Sequence, residues 1–271
     1  MADFLELTMT ANAQQREIAV ALLADFGFDI FEEKEGQLMA CGPSISISKE
    51  DVEGMLSGIP ALSSVSFLWR EIPKENWNAQ WESQFEPVIV DDRCLIYAPF
   101  HSVEQEYPLM LEIMPQMSFG TGHHPTTAGI ISLMMKESWE GKRVLDAGTG
   151  TGILAIAAKK LGASSIFGYD IDPWSVENGK ENAFRNGITD FEIVLGGSDS
   201  ASGKFDVILA NINRNVLIDQ IPTYLDLLET HGTIYFSGFY QQDWKELERI
   251  LPAGNAVFQL NEPWLAVKFT L

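Results

Sequence analysis

The sequence has few cysteines, few basic residues and no long apolar run. Its 2 cysteines, Cys41 and Cys94, lie far apart and form no CxxC pair. This excludes a cysteine-based zinc site and is typical of a reducing compartment. No apolar stretch approaches the ~18 residues that span a bilayer, and the N-terminal MADFLELTM lacks the basic and apolar parts of a secretory signal. We therefore expect a cytoplasmic location and no membrane association.

Basic residues are scarce relative to acidic ones, with 18 Lys and Arg against 38 Asp and Glu and a net charge of −20. A nucleic-acid-binding protein normally concentrates positive charge to displace counterions from phosphates. Direct contact with DNA or RNA is therefore not expected. Acidity of this size favours either a basic partner, such as a ribosomal protein or a histone, or solubility alone.

At 271 residues, the chain is long enough for one large domain and one small one. The hydrophobic patterning of residues 1–72 predicts the order β-α-β-β-α-β, with a hairpin turning at Glu35 and Gly36. This order is that of a small ferredoxin-like α+β domain. No motif in it carries chemistry, so we assign it to recognition or stability.

Residues 73–92 differ in composition from both sides and are predicted to form a linker helix. Trp77, Trp81 and Phe85 recur every four residues, as on one face of a helix. A stacking platform for a ligand is one interpretation, but packing of this face on a domain is the more usual role of such spacing.

Residues 93–271 are predicted to form the larger domain. Segments 93–100 and 107–115 resemble a hairpin, and a helix is expected from about Thr126 to Ser138. Five short apolar strands then alternate with helical stretches, which predicts a doubly wound, mostly parallel α/β sheet. Only three residues separate the last two strands, 256–260 and 264–271, so these must pair as an antiparallel hairpin.

The motif VLDAGTGTG, residues 144–152, places Gly148, Gly150 and Gly152 between a strand and a helix that starts near Ile153. Such glycines let the backbone approach a ligand closely and are expected to expose main-chain N–H groups to it. The dinucleotide pattern GxGxxG would need a glycine at 153. The ligand class is therefore open at this point, between a dinucleotide and another adenosine-containing cofactor.

Polar residues at the ends of the following strands are further candidates for this ligand site. Asp170 ends the second strand and is placed to accept hydrogen bonds from both ribose hydroxyls. Asp172, followed by Pro173, fits a helix N-cap. Asp199 is either a contact for an adenine amino group or part of a solvated loop. Asn211 ends the fourth strand, where a substrate-binding role outweighs a simple turn-forming one.

The segment FGTGHHPTT, residues 119–127, has the composition of a ligand loop but fits neither a phosphate nor a metal. No GxxxxGK[ST] motif occurs in the chain. His123 and His124 are adjacent, so their side chains diverge, and HExxH is absent. We predict no metal site and assign no role to the two histidines.

Together, VLDAGTGTG, Asp170 in YDIDP, the strand-end Asn211 and the terminal hairpin resemble the class I S-adenosylmethionine-dependent methyltransferases. More narrowly, FGTGHHPTT, GILAIAAKKLGA, DIDPWSVENGKENAFRNG and DVILANI are similar to the ribosomal protein L-eleven (L11) methyltransferase family. The similarity is strong from about Trp77 to Asn213. The family's substrate-recognition domain corresponds to the small N-terminal domain.

The resemblance implies S-adenosyl-L-methionine as cofactor and methylation of lysine side chains and the N-terminal amine of a basic large-subunit ribosomal protein. It implies cofactor contacts by Gly148, Asp170, Asn211 and Thr127, with Thr127 near the methionine end. The glycine motif adds Gly150 as a candidate cofactor contact, and the position after the third strand adds Asp199. Asn211 is predicted to orient the accepting amine. A nicotinamide-dependent oxidoreductase and a non-catalytic cofactor-binding adaptor are the alternatives.

Overall fold

The computed structural model describes residues 4–72, 81–82, 84–116 and 118–271. The chain divides into two compact units, Met1–Gln84 and Phe85–Leu271. Each unit has its own buried apolar core. Across the described ranges, no helix combines the length and the apolar character that crossing a membrane requires.

The first unit has the predicted order β-α-β-β-α-β. Its elements are β1 (Phe4–Thr10), α1 (Ala13–Asp25), β2 (Ile30–Lys34), β3 (Gln37–Pro43), α2 (Lys49–Gly58) and β4 (Phe67–Ile72). The strands form an antiparallel sheet in the order β2-β3-β1-β4. Glu35 and Gly36 join β2 to β3 with positive φ angles of 50° and 82°, as tight hairpin turns require.

The core of this unit follows from alternation along β1. Leu5, Leu7 and Met9 are buried, and the residues between them are not. The buried side chains pack with Leu23 of α1 and Leu56 of α2. One face of the sheet therefore carries the two helices.

A three-stranded sheet occupies the start of the second unit, where the sequence predicted the end of a helix and a hairpin. Its strands are β5 (Val88–Val90), β6 (Cys94–Tyr97) and β7 (Leu109–Glu112). The linker-helix prediction is wrong for 88–90, which pair antiparallel with β6. Residues 73–80 and 83, including Trp77, lie outside the described residues.

The predicted hairpin between 93–100 and 107–115 is also wrong, because β6 and β7 pair in parallel. A parallel pair needs a connection that returns the chain to the starting end of the first strand. Residues 98–108 provide it, and the Leu109 N–H then bonds to the Arg93 carbonyl. Local patterning identified both strands but not the direction of their pairing.

A seven-stranded sheet forms the centre of the second unit. Its strands are β8 (Arg143–Ala147), β9 (Ser165–Asp170), β10 (Phe191–Leu195), β11 (Phe205–Asn211), β12 (Leu228–Tyr240), β13 (Asn255–Asn261) and β14 (Trp264–Thr270). The order is β10-β9-β8-β11-β12-β14-β13. Pairs among β8 to β12 are parallel, and β14 is antiparallel to both β12 and β13. This confirms the mostly parallel sheet with a terminal antiparallel hairpin.

Helices cover both faces of this sheet. They are α3 (Pro125–Met134), α4 (Ile153–Lys160), α5 (Pro173–Arg185), α6 (Arg214–Leu227) and α7 (Trp244–Ile250). Adjacent residues of β8 face opposite cores, since Val144 packs with α3 and α4 while Leu145 packs with α6 and α7. Strand order reverses between β8 and β11, and ligands of such sheets bind at that switch point, outside the carboxyl ends of the strands.

Candidate active site

A cleft of about 780 Å³ opens at the carboxyl edge of the sheet, within the size range of small-molecule sites. The turn after β8, the ends of β9 and β11, the loop after β10 and one face of α6 all contribute to it. Its lining includes Phe119, His124, Thr126, Gly148, Gly150, Tyr169, Asp170, Ile171, Ser198, Asp199, Asn211, Ile212, Val216, Gln220, Tyr224 and Trp264.

The glycine turn after β8 can be built only from glycine at two cleft-lining positions. Gly148 and Gly150 have φ angles of 71° and 55°, in the left-handed region. A Cβ on Gly148 would lie 2.6 Å from Ile212 Cγ2, and one on Gly150 would clash with the Phe119 carbonyl oxygen. The turn is therefore wedged between two other segments of the cleft.

The N–H groups of this turn are not exposed, contrary to the expectation from its glycines. Those of Gly148 and Thr149 donate to the Tyr169 carbonyl, and that of Gly150 donates to Asp170 Oδ2 at 2.8 Å. The remaining two, at 151 and 152, donate to the carbonyls of Phe119 and Thr149. Because all five are paired within the protein, the turn offers close backbone approach but no cradle for a pyrophosphate.

Asp170 ends β9 inside the cleft, and its carboxylate is held at both oxygens. Oδ2 accepts from the Gly150 N–H, and Oδ1 accepts from the Asp172 N–H at 3.0 Å. Each oxygen keeps acceptor capacity for a ligand. Asp172 caps α5 through the N–H groups of Trp174 and Ser175, with proline at the first helical position, which confirms the N-cap prediction.

Asp199 lies in the short 3-10 turn Ser198–Ser200 that follows β10. Its side chain is exposed at the rim of the cleft. The structure thus places Asp199 beside the same cleft as Asp170, with more access to solvent.

Asn211 and Thr127 are brought together, although 84 positions separate them in the sequence. Asn211 Nδ2 donates to Thr127 Oγ1 at 3.1 Å. This bond fixes the orientation of the amide, and it leaves Asn211 Oδ1 buried with no hydrogen-bond partner. Thr127 itself is fully buried, and the cleft is lined by its neighbour Thr126.

The FGTGHHPTT segment is tied to the glycine turn through Thr151. The Thr151 N–H donates to the Phe119 carbonyl, and its hydroxyl donates to the Gly120 carbonyl at 2.6 Å. Gly120 and Gly122 have φ angles of 105° and 90°, so the segment needs glycine at both positions. Two stretches that are remote in sequence therefore form one wall of the cleft.

The two histidines of this segment have structural contacts. His124 caps α3, and its Nδ1 accepts from the Thr126 N–H. Burial lowers the pKa of His124, which favours the neutral ring that this acceptor role requires. Its ring lies 4.6 Å from that of Trp264. His123 Nε2 bonds to the Glu86 carbonyl at 2.8 Å. Over the described part of the chain, no three His, Cys, Asp or Glu residues cluster as a metal site would need.

Several residues that line the cleft were not found from the sequence, among them Trp264, Gln220 and Tyr224. Trp264 begins the last strand, and Gln220 and Tyr224 lie one turn apart on α6. The available signal was the four-residue spacing of Val216, Gln220 and Tyr224, which marks one helix face. Spacing alone does not say that this face borders a cleft rather than the core.

Asp146, which precedes the glycine turn, is a buried acid that no sequence motif marks as a site residue. Its side chain is 2% exposed, and Oδ2 has no hydrogen-bond partner. Burial raises the pKa of this carboxyl well above its usual range, and the nearby Asp170 acts in the same direction. The protein therefore favours the protonated form of Asp146.

This burial predicts a pH-dependent effect of Asp146→Asn. Because the pKa of Asp146 is raised in the folded state, its protonated carboxyl contributes fully to stability only below the unfolded-state pKa of about 3.9. As pH rises from there towards the folded-state pKa, the free energy of unfolding falls by up to about 1.4 kcal/mol per pH unit. The asparagine variant has no titrating group at this position and does not lose stability in this way. Its free energy of unfolding relative to the unsubstituted protein should therefore rise between pH 5 and pH 7, measured by urea unfolding. The exposed Asp226→Asn serves as control. A difference independent of pH would contradict the prediction.

The sheet order, the reversed β14 and the ligand edge at the β8–β11 switch point define a class I S-adenosylmethionine-dependent methyltransferase, and its cofactor is S-adenosyl-L-methionine. The cleft fits that group, because it has close backbone approach at Gly148 and Gly150, an acid at the end of β9, and no free N–H cradle for the pyrophosphate of a dinucleotide.

Comparison with known proteins gives the family. The model of the ribosomal protein L11 methyltransferase (PrmA) family matches residues 30–270, and this chain belongs to that family. A ribosomal protein L11 methyltransferase of Porphyromonas gingivalis is 41% identical over 94% of this chain and 90% of its own length. One of Phocaeicola vulgatus is 37% identical over 99% of both chains.

A solved structure agrees with these relatives. The crystal structure of the ribosomal protein L11 methylase from Lactobacillus delbrueckii subsp. bulgaricus has a TM-score of 0.63 and 29% identity to this chain. The matched region spans 68% of this chain and 98% of the chain of that structure.

Proposed function

We propose that this chain transfers methyl groups from S-adenosyl-L-methionine to amino groups of ribosomal protein L11, namely lysine side chains and the N-terminal amine. Family membership and the names of the relatives support this substrate. The net charge of −20 suits a basic protein partner. The observation that carries the proposal is the anchored amide of Asn211, which has an unpaired carbonyl oxygen at the switch point of the sheet.

In this proposal, the residues that would hold the cofactor follow the carboxyl edge from Asn211 to Asp199. Gly148 and Gly150 allow it to approach the backbone. The Asp170 carboxylate, already oriented by two N–H groups, accepts hydrogen bonds from the ribose hydroxyls. Asp199 borders the adenine end. Thr127 acts through Asn211, because its buried hydroxyl holds the amide rather than facing the cleft.

The accepting amine must lose its proton before it can react. A lysine amine has a pKa of about 10.4 and is mostly protonated at neutral pH, without a lone pair for attack. Apolar side chains around Asn211, including Ile212 and Trp264, desolvate the amine and thereby favour its neutral form. When bound, the cofactor would supply an electrophilic methyl group on a sulfonium centre. The N–C bond forms as the C–S bond breaks, S-adenosylhomocysteine is the leaving group, and the proton lost earlier by the amine goes to solvent.

Asn211 then orients the amine without favouring its return to the charged ammonium form. Its Oδ1 accepts an N–H bond from the amine, and a neutral amide favours the ammonium form less than a carboxylate would. The bond to Thr127 prevents the amide from turning its nitrogen to the substrate. The contribution of Asn211 is therefore alignment, which is the main requirement of an in-line displacement.

We also propose that residues 1–72 form a ferredoxin-like domain that grips the protein substrate, that the segment after it joins it to the second unit, and that the second unit, Phe85–Leu271, carries out catalysis. The first unit has its own core, and none of its described residues is among those that line the cleft. A non-catalytic adaptor with the same cofactor fold would leave every protein unmethylated, whereas this proposal requires transfer.

The direct test is to incubate the protein with methyl-labelled cofactor and unmodified ribosomal proteins and to locate the label by mass spectrometry. We expect label on L11, on lysine side chains and the N-terminal amine. An Asp170→Ala variant, impaired in holding the ribose, is the control for cofactor-dependent labelling. Label on another protein, on a different side-chain type, or on none would refute the proposed substrate or activity.

A further inference from the structure

One wall of the cleft is a face of α6 that the proposed roles above do not use. Val216, Gln220 and Tyr224 follow each other at four-residue spacing and all line the cleft. The hydroxyl of Tyr224 lies 3.2 Å from that of Tyr169, which precedes Asp170 in β9. This contact places the middle of α6 against the strand that carries the acid assigned to the ribose.

The amide of Gln220 is held in one orientation. Its Nε2 donates to Asp219 Oδ2 at 2.7 Å. A carboxylate only accepts hydrogen bonds, so the amide group that faces Asp219 must be the nitrogen of Gln220. The amide oxygen of Gln220 then points away from Asp219. Gln220 Oε1 is buried and has no hydrogen-bond partner.

An unpaired buried acceptor is unfavourable, and such groups in folded proteins normally have a partner. Among the described residues that line the cleft, Gln220 and Asn211 each carry such an acceptor, Oε1 and Oδ1, and in both side chains the amide nitrogen is anchored by a neighbour. In the proposed function, Asn211 Oδ1 accepts from an N–H group of the methyl acceptor. Gln220 Oε1 requires a different N–H donor, at the α6 wall.

We propose that Gln220 recognises the adenine base of the cofactor, with Oε1 accepting from the 6-amino group. This rests on the cofactor of the site but not on the identity of the methyl acceptor. Ile171 and Val216 supply apolar surface in the same cleft for the faces of the base. Asp199, the candidate from the sequence, is exposed, so a hydrogen bond donated to its carboxylate competes with water, whereas one donated to the buried Gln220 Oε1 does not.

The proposal predicts discrimination between an amino group and an oxygen at the 6-position of the purine. We would titrate the full-length chain calorimetrically with S-adenosylhomocysteine and with its inosine counterpart, in which a carbonyl replaces the amino group. Tighter binding of the adenosyl ligand by about 10-fold or more is expected, because a carbonyl would face Oε1 without a hydrogen. In Gln220→Met, which removes the acceptor and keeps a good helix former, this ratio should fall towards one through weaker adenosyl binding.

Asp199→Ala is the matched control and should leave the ratio unchanged. The proposal would be overturned if Gln220→Met kept the ratio of adenosyl to inosyl affinity, including through an equal loss of affinity for both ligands. It would also be overturned if this ratio fell to one in Asp199→Ala instead. Thermal unfolding checks the fold of the variant, and Gln220→Leu replaces it if Met is not tolerated. Failure of L11 methylation would leave these binding ratios untouched, so the two proposals fail separately.

Discussion

Asn211→Ala is expected to lower the rate of methyl transfer to L11 by about 10²-fold or more, as loss of alignment commonly does. Cofactor affinity should change much less, since Asp170 and the glycine turn remain. The physical reason lies in the pair of contacts at this amide. Nδ2 is committed to Thr127, so Oδ1 alone is available to orient the amine. Single-turnover rates at saturating cofactor, with calorimetric cofactor affinity beside them, measure the two effects.

Two further variants separate orientation from charge. Thr127→Val keeps the shape of the buried side chain but removes the acceptor that holds the amide, so a smaller loss of rate in the same direction is expected. Asn211→Asp keeps the shape of residue 211 and introduces a carboxylate. An opposite charge raises the pKa of the substrate amine, so the rate should fall at neutral pH and recover in part as pH rises.

Full transfer rates in Asn211→Ala, together with lost cofactor binding in Asp170→Ala, would show that Asn211 has no part in alignment. An Asn211→Asp variant with the same pH profile as the unsubstituted protein would show that the amine does not meet residue 211. Either result would move the accepting amine to another part of the cleft.

The catalytic sheet was predictable because its signals are local. Buried parallel strands have continuous apolar runs, and each of the five carries one. The three residues 261–263 allow no crossover, which set the direction of β14. The N-cap at Asp172 was predictable for the same reason, since its partners lie two and three residues away.

Contacts between remote segments were not predictable in this way. The positions of Gly148 and Gly150 could be found from the sequence, but the groups that occupy their N–H bonds belong to Tyr169 and Asp170, about 20 positions away. The same holds for the parallel pairing of β6 with β7. Gln220 and Trp264 carry no motif, and only the fold brings them to the cleft.

Removal of residues 1–72 is expected to abolish methylation of intact L11 while leaving the affinity for S-adenosylhomocysteine within about 2- to 3-fold. The cleft supports this separation, because the lining residues in the described part of the chain all belong to the second unit, which has its own two cores. The removed segment has 12 acidic and 4 basic residues, so it contributes −8 of the net charge of −20. Its attraction for a basic protein should weaken as salt screens it.

The experiment compares the full-length chain with residues 73–271 on two acceptors, intact L11 and a short lysine peptide at high concentration. The peptide reports the cleft alone and should be methylated at similar rates by both chains. The KM of the full-length chain for L11 should rise with salt, whereas its cofactor affinity should vary less. If the truncated chain lost cofactor binding, the first unit would be part of the folding unit of the cleft. If the truncated chain methylated intact L11 normally, the second unit would recognise the substrate. Either result would contradict the proposed assignment of recognition to the first unit and catalysis to the second.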